Sequence, residues 1–321
     1  MDGWLRFRLL GRAGAGTLVP TGPRGAPATP AAASSIRFRT VDVPGVAGTQ
    51  VNGVNQHGVV AGTYVDQNHD SFGFIQDGAN LVTLNYPGTS GVTTVTSLND
   101  RGTVIGYYTD SNGAAHGWIR SSDGSFSPIN DPLAGSGSGS GSGQFQGTLP
   151  FGINDSGTVV GGYIDANGIF HGFIDENGTF TTVDAPQAGT GPGQGTFLNA
   201  VNDPGVITGA YLDANNISHG IVDTRGVIRS FQAPGSTGPG EGGTQSNGIS
   251  NNGALDGYYG KTASIAYQGW LEVGGQFTSL NDPDAGAGGT LPLGISQDGK
   301  TACGFYFDAN GVMNGFIATI P

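Results

Sequence analysis

Four sequence landmarks recur in the same order six times between residue 37 and the end of the 321-residue chain. The first is an Asn or Ser followed three residues later by Gly, and it leads into a short apolar run ending in Gly-x-Tyr. An Asp-x-Asn-Gly type turn, a Gly before a large apolar residue and an alternating segment closed by Pro complete the unit. The spacing of these prolines gives a repeat of about 48 residues. They are Pro44, Pro87, Pro132, Pro186, Pro234 and Pro283.

Each unit contains four short segments of alternating polarity separated by Gly, Asn or Asp turns, as in residues 147–186. Alternation with a period of two indicates strands, and the short turns between them indicate antiparallel hairpins. A repeat of this length with four strands is typical of a propeller blade. We therefore predict that residues 36–321 form a single all-β domain, a six-bladed β-propeller of four-stranded blades.

The two ends of the repeat complement each other. In the earlier units 13 or 14 residues separate the large apolar residue of the third segment from its Pro, whereas only five residues follow Phe316. The last unit thus lacks a fourth strand, and residues 38–44 match residues 180–186. Pairing the two ends closes a ring and removes exposed sheet edges, which a solenoid of stacked meanders would keep. We predict that residues 37–43 dock beside residues 315–320 and complete the last blade.

The composition supports a folded chain in spite of 61 Gly and 17 Pro, a content that approaches that of disordered chains. Hydrophobic residues make up 36% and charged residues only 11%, which is too apolar for a solvated coil. Residues 1–35 lack strand or helix periodicity, so we predict a disordered N-terminal segment there. Its basic start and late Ala-Pro-Ala stretch suggest an atypical export segment, although Arg6, Arg8 and Arg12 interrupt the apolar run.

Charge excludes two classes of partner. The chain has 24 acidic residues against 12 Lys and Arg, a net charge of −12. A body this acidic repels phosphate backbones and anionic lipids, so we exclude nucleic acid and membrane partners. No apolar run reaches the length of about 18 residues that a transmembrane helix needs, and we expect a monomer. The single Cys303 forms neither an intramolecular disulfide nor a Cys-based zinc site.

The unit over residues 152–186 resembles the HAF repeat of bacterial proteins that are mostly predicted to be extracellular. That repeat has a His-Ala/Gly-Phe core, and the matching cores here are His116-Gly117-Trp118, His171-Gly172-Phe173 and His219-Gly220-Ile221. In the other three units Phe72, Gln268 and Asn314 replace the His. The resemblance covers residues 37–321 and implies an extracellular or cell-surface propeller with no defined reaction.

Five aspartates occupy the same turn of five units, two residues after the repeated Tyr, and Lys261 takes the sixth position. Turns between second and third strands share one propeller face with the loops between blades, so these side chains form a ring. The ring is our candidate ligand-binding site: Asp66, Asp110, Asp165, Asp213, Asp308 and Lys261. It suits a cationic ligand or Ca²⁺, the one cofactor that we consider. The alternative is an Asx turn in each hairpin, in which the carboxylate binds nearby backbone amides.

The fifth unit departs most from the repeat, around Lys261 and the loop that carries Glu241. Departures indicate a requirement other than folding, so Glu241, Tyr259 and Lys261 form our candidate catalytic cluster. We interpret the repeated histidines as hydrogen-bonding groups within each blade, because third-strand residues of adjacent blades diverge too far to share a metal ion. We interpret Trp118 and Trp270 as core residues.

No nucleophile elbow or metalloprotease motif occurs in the sequence. We therefore expect a binding or scaffolding module for a glycan, peptide or protein ligand, bound through the loop face. The alternative is a polymer-active enzyme, a polysaccharide lyase or hydrolase, with its site at the central pocket near the fifth blade.

Overall fold

The structure is a computed structural model that describes residues 35–89, 92–137, 146–236, 243–261 and 264–321. Almost all of the predicted N-terminal segment and most of the Gly-Ser tract before residue 146 therefore lie outside the described residues. The described ranges form 24 strands and no helix, so the prediction of an all-β chain is confirmed. Accordingly, they contain no helix long and apolar enough to cross a membrane.

Within the described ranges the strands form six antiparallel units of four. Units 1 and 2 contain β2 (Gly48–Val54), β3 (Val60–Val65), β4 (Ser71–Asp77), β5 (Asn80–Leu84), β6 (Thr93–Leu98), β7 (Val104–Thr109), β8 (Ala115–Arg120) and β9 (Phe126–Ile129). Units 3 and 4 contain β10 (Gly147–Ile153), β11 (Val159–Ile164), β12 (Phe170–Glu176), β13 (Thr179–Val183), β14 (Gly195–Val201), β15 (Val206–Leu212), β16 (Ser218–Thr224) and β17 (Val227–Phe231). Units 5 and 6 contain β18 (Thr244–Ile249), β19 (Leu255–Lys261), β20 (Ser264–Val273), β21 (Gln276–Ser279), β22 (Thr290–Ile295), β23 (Thr301–Phe307), β24 (Met313–Thr319) and β1 (Arg37–Val41).

The fourth strand of unit 6 comes from the beginning of the repeat. β1 pairs antiparallel with β24, with Arg37 opposite Thr319 and Val41 opposite Gly315. The Phe38 ring packs on Phe316, with ring centroids 5.5 Å apart. This is the pairing that the ends of the repeat predict.

Glycines at two strand positions allow large side chains to fill the centre of each unit. In unit 3, Gly161 lies opposite Phe173, and a Cβ on Gly161 would collide with the Leu149 carbonyl oxygen and with the Phe173 ring. Third-strand side chains at the Phe173 position are at most 3% exposed: Phe74, Trp118, Phe173, Ile221, Trp270 and Phe316. The interpretation of Trp118 and Trp270 as core residues is confirmed.

The units contact one another in a cyclic order. The first strand of each unit packs on the second strand of the unit before it: β6 on β3, β10 on β7, β14 on β11, β18 on β15 and β22 on β19. The first strand of unit 1, β2, packs in turn on β22, β23 and β24 of unit 6.

At every boundary a Thr hydroxyl at the start of the next unit accepts the backbone N–H of the residue before the repeated Pro, at 2.9 to 3.1 Å. These buried threonines are Thr49, Thr93, Thr148, Thr196, Thr244 and Thr290. The seam between units 6 and 1 therefore has the same hydrogen bond as the other five boundaries.

Candidate functional site

The predicted aspartate ring consists of five separate turns between second and third strands. In each turn, Oδ1 of the Asp accepts the backbone N–H groups of the residues two and four positions later, at 2.8 to 2.9 Å. The five residues are Asp66, Asp110, Asp165, Asp213 and Asp308. The Asx turn, which the sequence left as the alternative, is thus present in all five units. The second oxygen, Oδ2, is left for other partners.

The pKa of the carboxyl group is lowered in four of these turns, those of Asp110, Asp165, Asp213 and Asp308. For Asp308, the amides of Val312 and Asn310 hold the pKa below its usual value. No group of three or more His, Cys, Asp or Glu side chains in the described ranges is placed to hold a metal ion. Ca²⁺ binding at the ring stays a prediction, and the side chain of its sixth member, Lys261, falls outside the description.

Units 2, 3 and 4 each bring a Tyr, a His and an Asp into contact, and we call these groups the cleft clusters. The second-strand Tyr stacks on the third-strand His, whose Nε2 faces Oδ2 of the turn Asp. In unit 2 the ring centroids of Tyr108 and His116 are 5.1 Å apart, and Nε2 of His116 lies 3.1 Å from Asp110 Oδ2. The hydrogen bond from His116, followed by that from the Ala114 amide, lowers the pKa of Asp110. The interpretation of this His as a hydrogen-bonding group within its unit is confirmed.

The unit 3 cluster holds its imidazole between two carboxylates. Tyr163 stacks on His171 with centroids 4.9 Å apart. Nδ1 of His171 donates to Asp184 Oδ2 at 2.9 Å, whereas Nε2 is 3.9 Å from Asp165 Oδ2. The Asp184 side chain is 45% exposed, so one carboxylate of this cluster is open to solvent.

The unit 4 cluster replaces the second carboxylate by an amide. Tyr211 and His219 stack at 4.7 Å, and Nε2 of His219 lies 3.3 Å from Asp213 Oδ2. Gln232 Nε2 donates to Nδ1 of His219 at 2.8 Å, so the neutral imidazole carries its proton on Nε2, facing Asp213. In unit 3 the proton lies on Nδ1, which makes the two imidazoles opposite tautomers.

Each cleft cluster also meets the residue that precedes Pro in the preceding unit. Tyr86 of unit 1 stacks on Tyr108 with centroids 4.7 Å apart. In unit 4 the residue is Ala185, which shares an apolar cluster with Tyr211.

The unit 3 cluster meets Asp131, the residue before Pro132 of unit 2, which is 4% exposed. Its Oδ1 accepts the Leu133 N–H at 2.8 Å, and its buried Oδ2 has no hydrogen-bond partner within the described part of the chain. Burial raises the pKa of Asp131 against the opposing effects of the Leu133 amide and His171. Burial also raises the pKa of Tyr163, opposed by the Thr182 hydroxyl and reinforced by the Asp131 charge.

The predicted catalytic cluster of unit 5 is described only in part. Tyr259 is half-buried on β19, opposite Thr244 and Gln268 in the sheet register. It packs in an apolar cluster with Ala233. Glu241 lies outside the described residues, as does the side chain of Lys261, so the convergence of the three groups stays a prediction.

The fold is similar to that of solved lectins. A fungal lectin from Aleuria aurantia, a six-bladed β-propeller with a fucose recognition mode, superposes with a TM-score of 0.53 over 84% of this chain and 90% of the lectin, at 14% identity. The SapL1 lectin in complex with alpha methyl fucoside gives a TM-score of 0.51 over 86% of this chain and 93% of the lectin, at 11% identity. A sialidase from Trypanosoma rangeli gives 0.50 over 86% of this chain and 55% of the enzyme, at 10% identity.

This chain has a β-propeller fold. The likeness to the lectins concerns the fold alone, because the sequence identities are low. No protein-family model matches the chain, and no curated protein matches its sequence.

Four amide hydrogen bonds around the propeller axis were not predicted from the sequence. Asn55, Asn99, Asn154 and Asn202 each donate through Nδ2 to a backbone carbonyl of the next unit, at 2.9 to 3.4 Å. The signal was present as the first landmark of the repeat, but its spacing does not reveal a partner about 48 residues away.

The axial space is too small for a sugar. A β-bulge in each first strand turns side chains such as Asn52 and Asn247 toward the next unit, where their Nδ2 groups donate to Val95 and Pro292 carbonyls at 2.6 and 2.8 Å. Gln297 reaches from unit 6 to the Val201 carbonyl of unit 4, at 3.3 Å. The remaining axial cavity of about 40 Å³ has room for roughly one water molecule. The residues that line this cavity therefore do not form the central pocket that the enzyme hypothesis requires.

Proposed function

We propose that this protein is a closed, six-bladed β-propeller that binds carbohydrate as a non-catalytic module. The cyclic contacts between units, the β1–β24 pairing and the likeness to six-bladed lectins support the closed ring of six blades. The repeat is of the HAF type in this proposal, and the module works outside the cytoplasm, as that resemblance implies.

The cleft clusters carry the carbohydrate proposal. They place the same group of side chains at the same register in three consecutive blades, which suits an oligosaccharide with repeated units. Their carboxylate and imidazole groups are fixed by hydrogen bonds, so they offer sugar hydroxyls a preorganised set of donors and acceptors. The His171 and His219 side chains are 23% and 24% exposed, so a ligand reaches them without a change of fold.

A glycan array with the whole chain tests this function. We expect wild type to bind a defined set of oligosaccharides, and a variant combining His116→Ala, His171→Ala and His219→Ala to lose that binding while melting at a similar temperature. Asn314→Ala is the matched control, because Asn314 occupies the same register position in unit 6. Unchanged binding by the triple variant would overturn the assignment of the cleft clusters, and the absence of any bound glycan would overturn the function.

A polymer-active enzyme remains our second candidate, and the fold likeness to the sialidase supports it. Every array glycan that binds is then incubated with the protein, and new reducing ends are measured. Release of sugar by wild type that Tyr259→Phe abolishes would favour the enzyme over the binding module.

A further inference from the structure

A ligand-sized space lies in the cleft between units 2 and 3. Its volume is about 370 Å³, which is in the range of small-molecule sites. It has an apolar wall and a polar edge, formed by Ile119, Pro128, Asn130, Asp175, Asn177 and Phe180. None of these residues belongs to the cleft clusters, so the space is a separate candidate site.

One buried carboxyl group, that of Asp175, borders this cleft, and that of Asp131 is near enough for its charge to act on Asp175. Asp175 is 7% exposed, and its Oδ1 accepts the Gly178 N–H at 2.6 Å. Burial raises the pKa of Asp175, and the charge of nearby Asp131 raises it further. No hydrogen-bond partner for the buried Oδ2 of Asp131 is found within the described ranges. Among described residues, no ion pair with Lys or Arg involves either carboxyl group.

At the next boundary, between units 3 and 4, the same sheet positions recur with one cationic side chain added. The sheet register places Asp223 at the position of Asp175, Arg225 at that of Asn177 and Ile228 at that of Phe180. Asn177 and Arg225 both have positive φ, 54° and 55°, so the two turns share a backbone conformation. A guanidinium at this position repels a cationic ligand, whereas the amide of Asn177 does not.

We propose that the cleft between units 2 and 3 binds a sugar that carries a primary ammonium group, as in an oligomer of glucosamine. This inference rests on the carbohydrate-binding function proposed above and names the ligand class of one cleft. Asp175 receives the ammonium. Phe180 and Pro128 contact the C–H face of the sugar ring, and Asn177 hydrogen-bonds a hydroxyl group. The net charge of −12 attracts a cationic oligomer from a distance.

Calorimetric titration of the whole chain at about pH 6 tests this site, with a glucosamine tetramer and its fully N-acetylated counterpart as probes. The probes share one sugar backbone and differ at the nitrogen on C2, which is a charged amine in one and a neutral acetamide in the other. We expect wild type to bind the charged tetramer about tenfold more tightly. Asp175→Asn keeps an acceptor for the Gly178 N–H but removes the charge, so the preference should disappear. Asn177→Arg copies unit 4 onto a matching backbone and should weaken the charged tetramer by about tenfold or more.

Asp77→Asn is the control, because it makes the same change of net charge at an exposed residue of unit 1. Equal binding of the two tetramers by wild type would overturn the proposal, as would unchanged binding by both Asp175→Asn and Asn177→Arg. A lysine-rich peptide that competes as well as the charged tetramer would assign the site to amines in general and would also overturn it. Failure of every glycan, charged or neutral, would instead refute the carbohydrate function on which the inference rests.

Discussion

Side chains around the propeller axis and those beside the cleft clusters differ in how much they vary from unit to unit. Around the axis, four successive units use the same Asn side chain to bind the carbonyl of the next unit. Beside the cleft clusters of units 2, 3 and 4, the residue before the repeated Pro is Tyr86, Asp131 and Ala185 in turn, whereas each cluster keeps its Tyr.

This difference indicates which positions of the repeat can change at little cost in stability. An axial side chain must satisfy buried backbone groups of two units at once, so a replacement leaves unpaired polar groups. The His side chains of the cleft clusters are partly exposed, so their loss costs less and their identity is available for recognition. We therefore expect stability to depend mainly on the axis and ligand choice mainly on the clefts.

The largest effect should come from Asn154→Ala. Asn154 is 2% exposed, donates to the Asn202 carbonyl and accepts from the Thr158 N–H and the Ser156 hydroxyl. Losing these bonds should lower the free energy of unfolding by about 3 kcal/mol, measured by urea denaturation. Asn167→Ala, at an exposed turn position, serves as the control. A loss no larger than that of the control would remove the axis as the main source of stability.

Asp256 should make stability depend on pH. It is fully buried opposite Gly248, which lines the axial cavity, and within the described residues neither carboxyl oxygen forms a hydrogen bond of good geometry. Burial raises the pKa of Asp256 from 3.8 to about 8, against the lowering effect of the Gly248 amide. Between these values the unfolded chain releases a proton that the folded chain keeps. Its contribution is thus fully present below pH 3.8 and is lost as the pH rises toward about 8.

Urea denaturation of wild type and Asp256→Asn at several pH values measures this effect. The single group gives a slope of up to about 1.4 kcal/mol per pH unit, so wild type should lose about 2 kcal/mol more than the variant between about pH 5 and pH 7. Parallel stability curves would show that Asp256 is ionised in the folded protein, and the axis would then tolerate a buried charge.

Thr49→Val and Thr196→Val compare the seam with an ordinary boundary. Each removes the acceptor of a buried backbone N–H, that of Val43 or Ala185, while keeping the side-chain shape. We expect each to destabilise by about 1.5 kcal/mol in urea denaturation. Thr→Ser at the same positions should restore most of the stability. A much smaller effect for Thr49→Val would mean that the seam opens before the rest of the ring.

The smallest change in stability should follow His171→Ala. Its imidazole is partly exposed, and its bond to the exposed Asp184 is an interaction of modest strength. We expect a loss of at most about 0.5 kcal/mol in urea denaturation. A loss of stability close to that of Asn154→Ala would contradict the expected difference between cleft clusters and axis. The cleft clusters would then be part of the stabilising core.

The strands and the pairing of the ends could be predicted because they depend on local patterns. Period-two alternation and turn residues define each hairpin, and the missing fourth strand after Phe316 is visible by counting. The partners of polar side chains could not be predicted in the same way. Asp165 could equally line a ligand ring or cap its own turn, and only the three-dimensional structure shows that it caps the turn, while its place in a ligand ring stays a prediction.

The clefts show what limits prediction of the site. The repeated histidines were visible as a column, and their bonds to Asp110 and Asp213 could be expected within a unit. The approach of Asp131 to Tyr163 joins two units, so it depends on how tightly neighbouring sheets pack. Likewise, the difference between Asn177 and Arg225 at matched positions becomes relevant to ligand binding only when the cavity beside Asn177 is known.

The antiparallel register of β1 and β24 has a mechanical consequence. Arg37 and Thr319, which face each other, are the outer ends of the two strands that close the ring. Tension applied through the chain on both sides of this pair would load its hydrogen bonds one after another, in the geometry of a zipper. Five residue pairs would separate in sequence, from Arg37–Thr319 to Val41–Gly315. A ring joined at every boundary by the same hydrogen bond would thus open under a modest pulling force at this single strand.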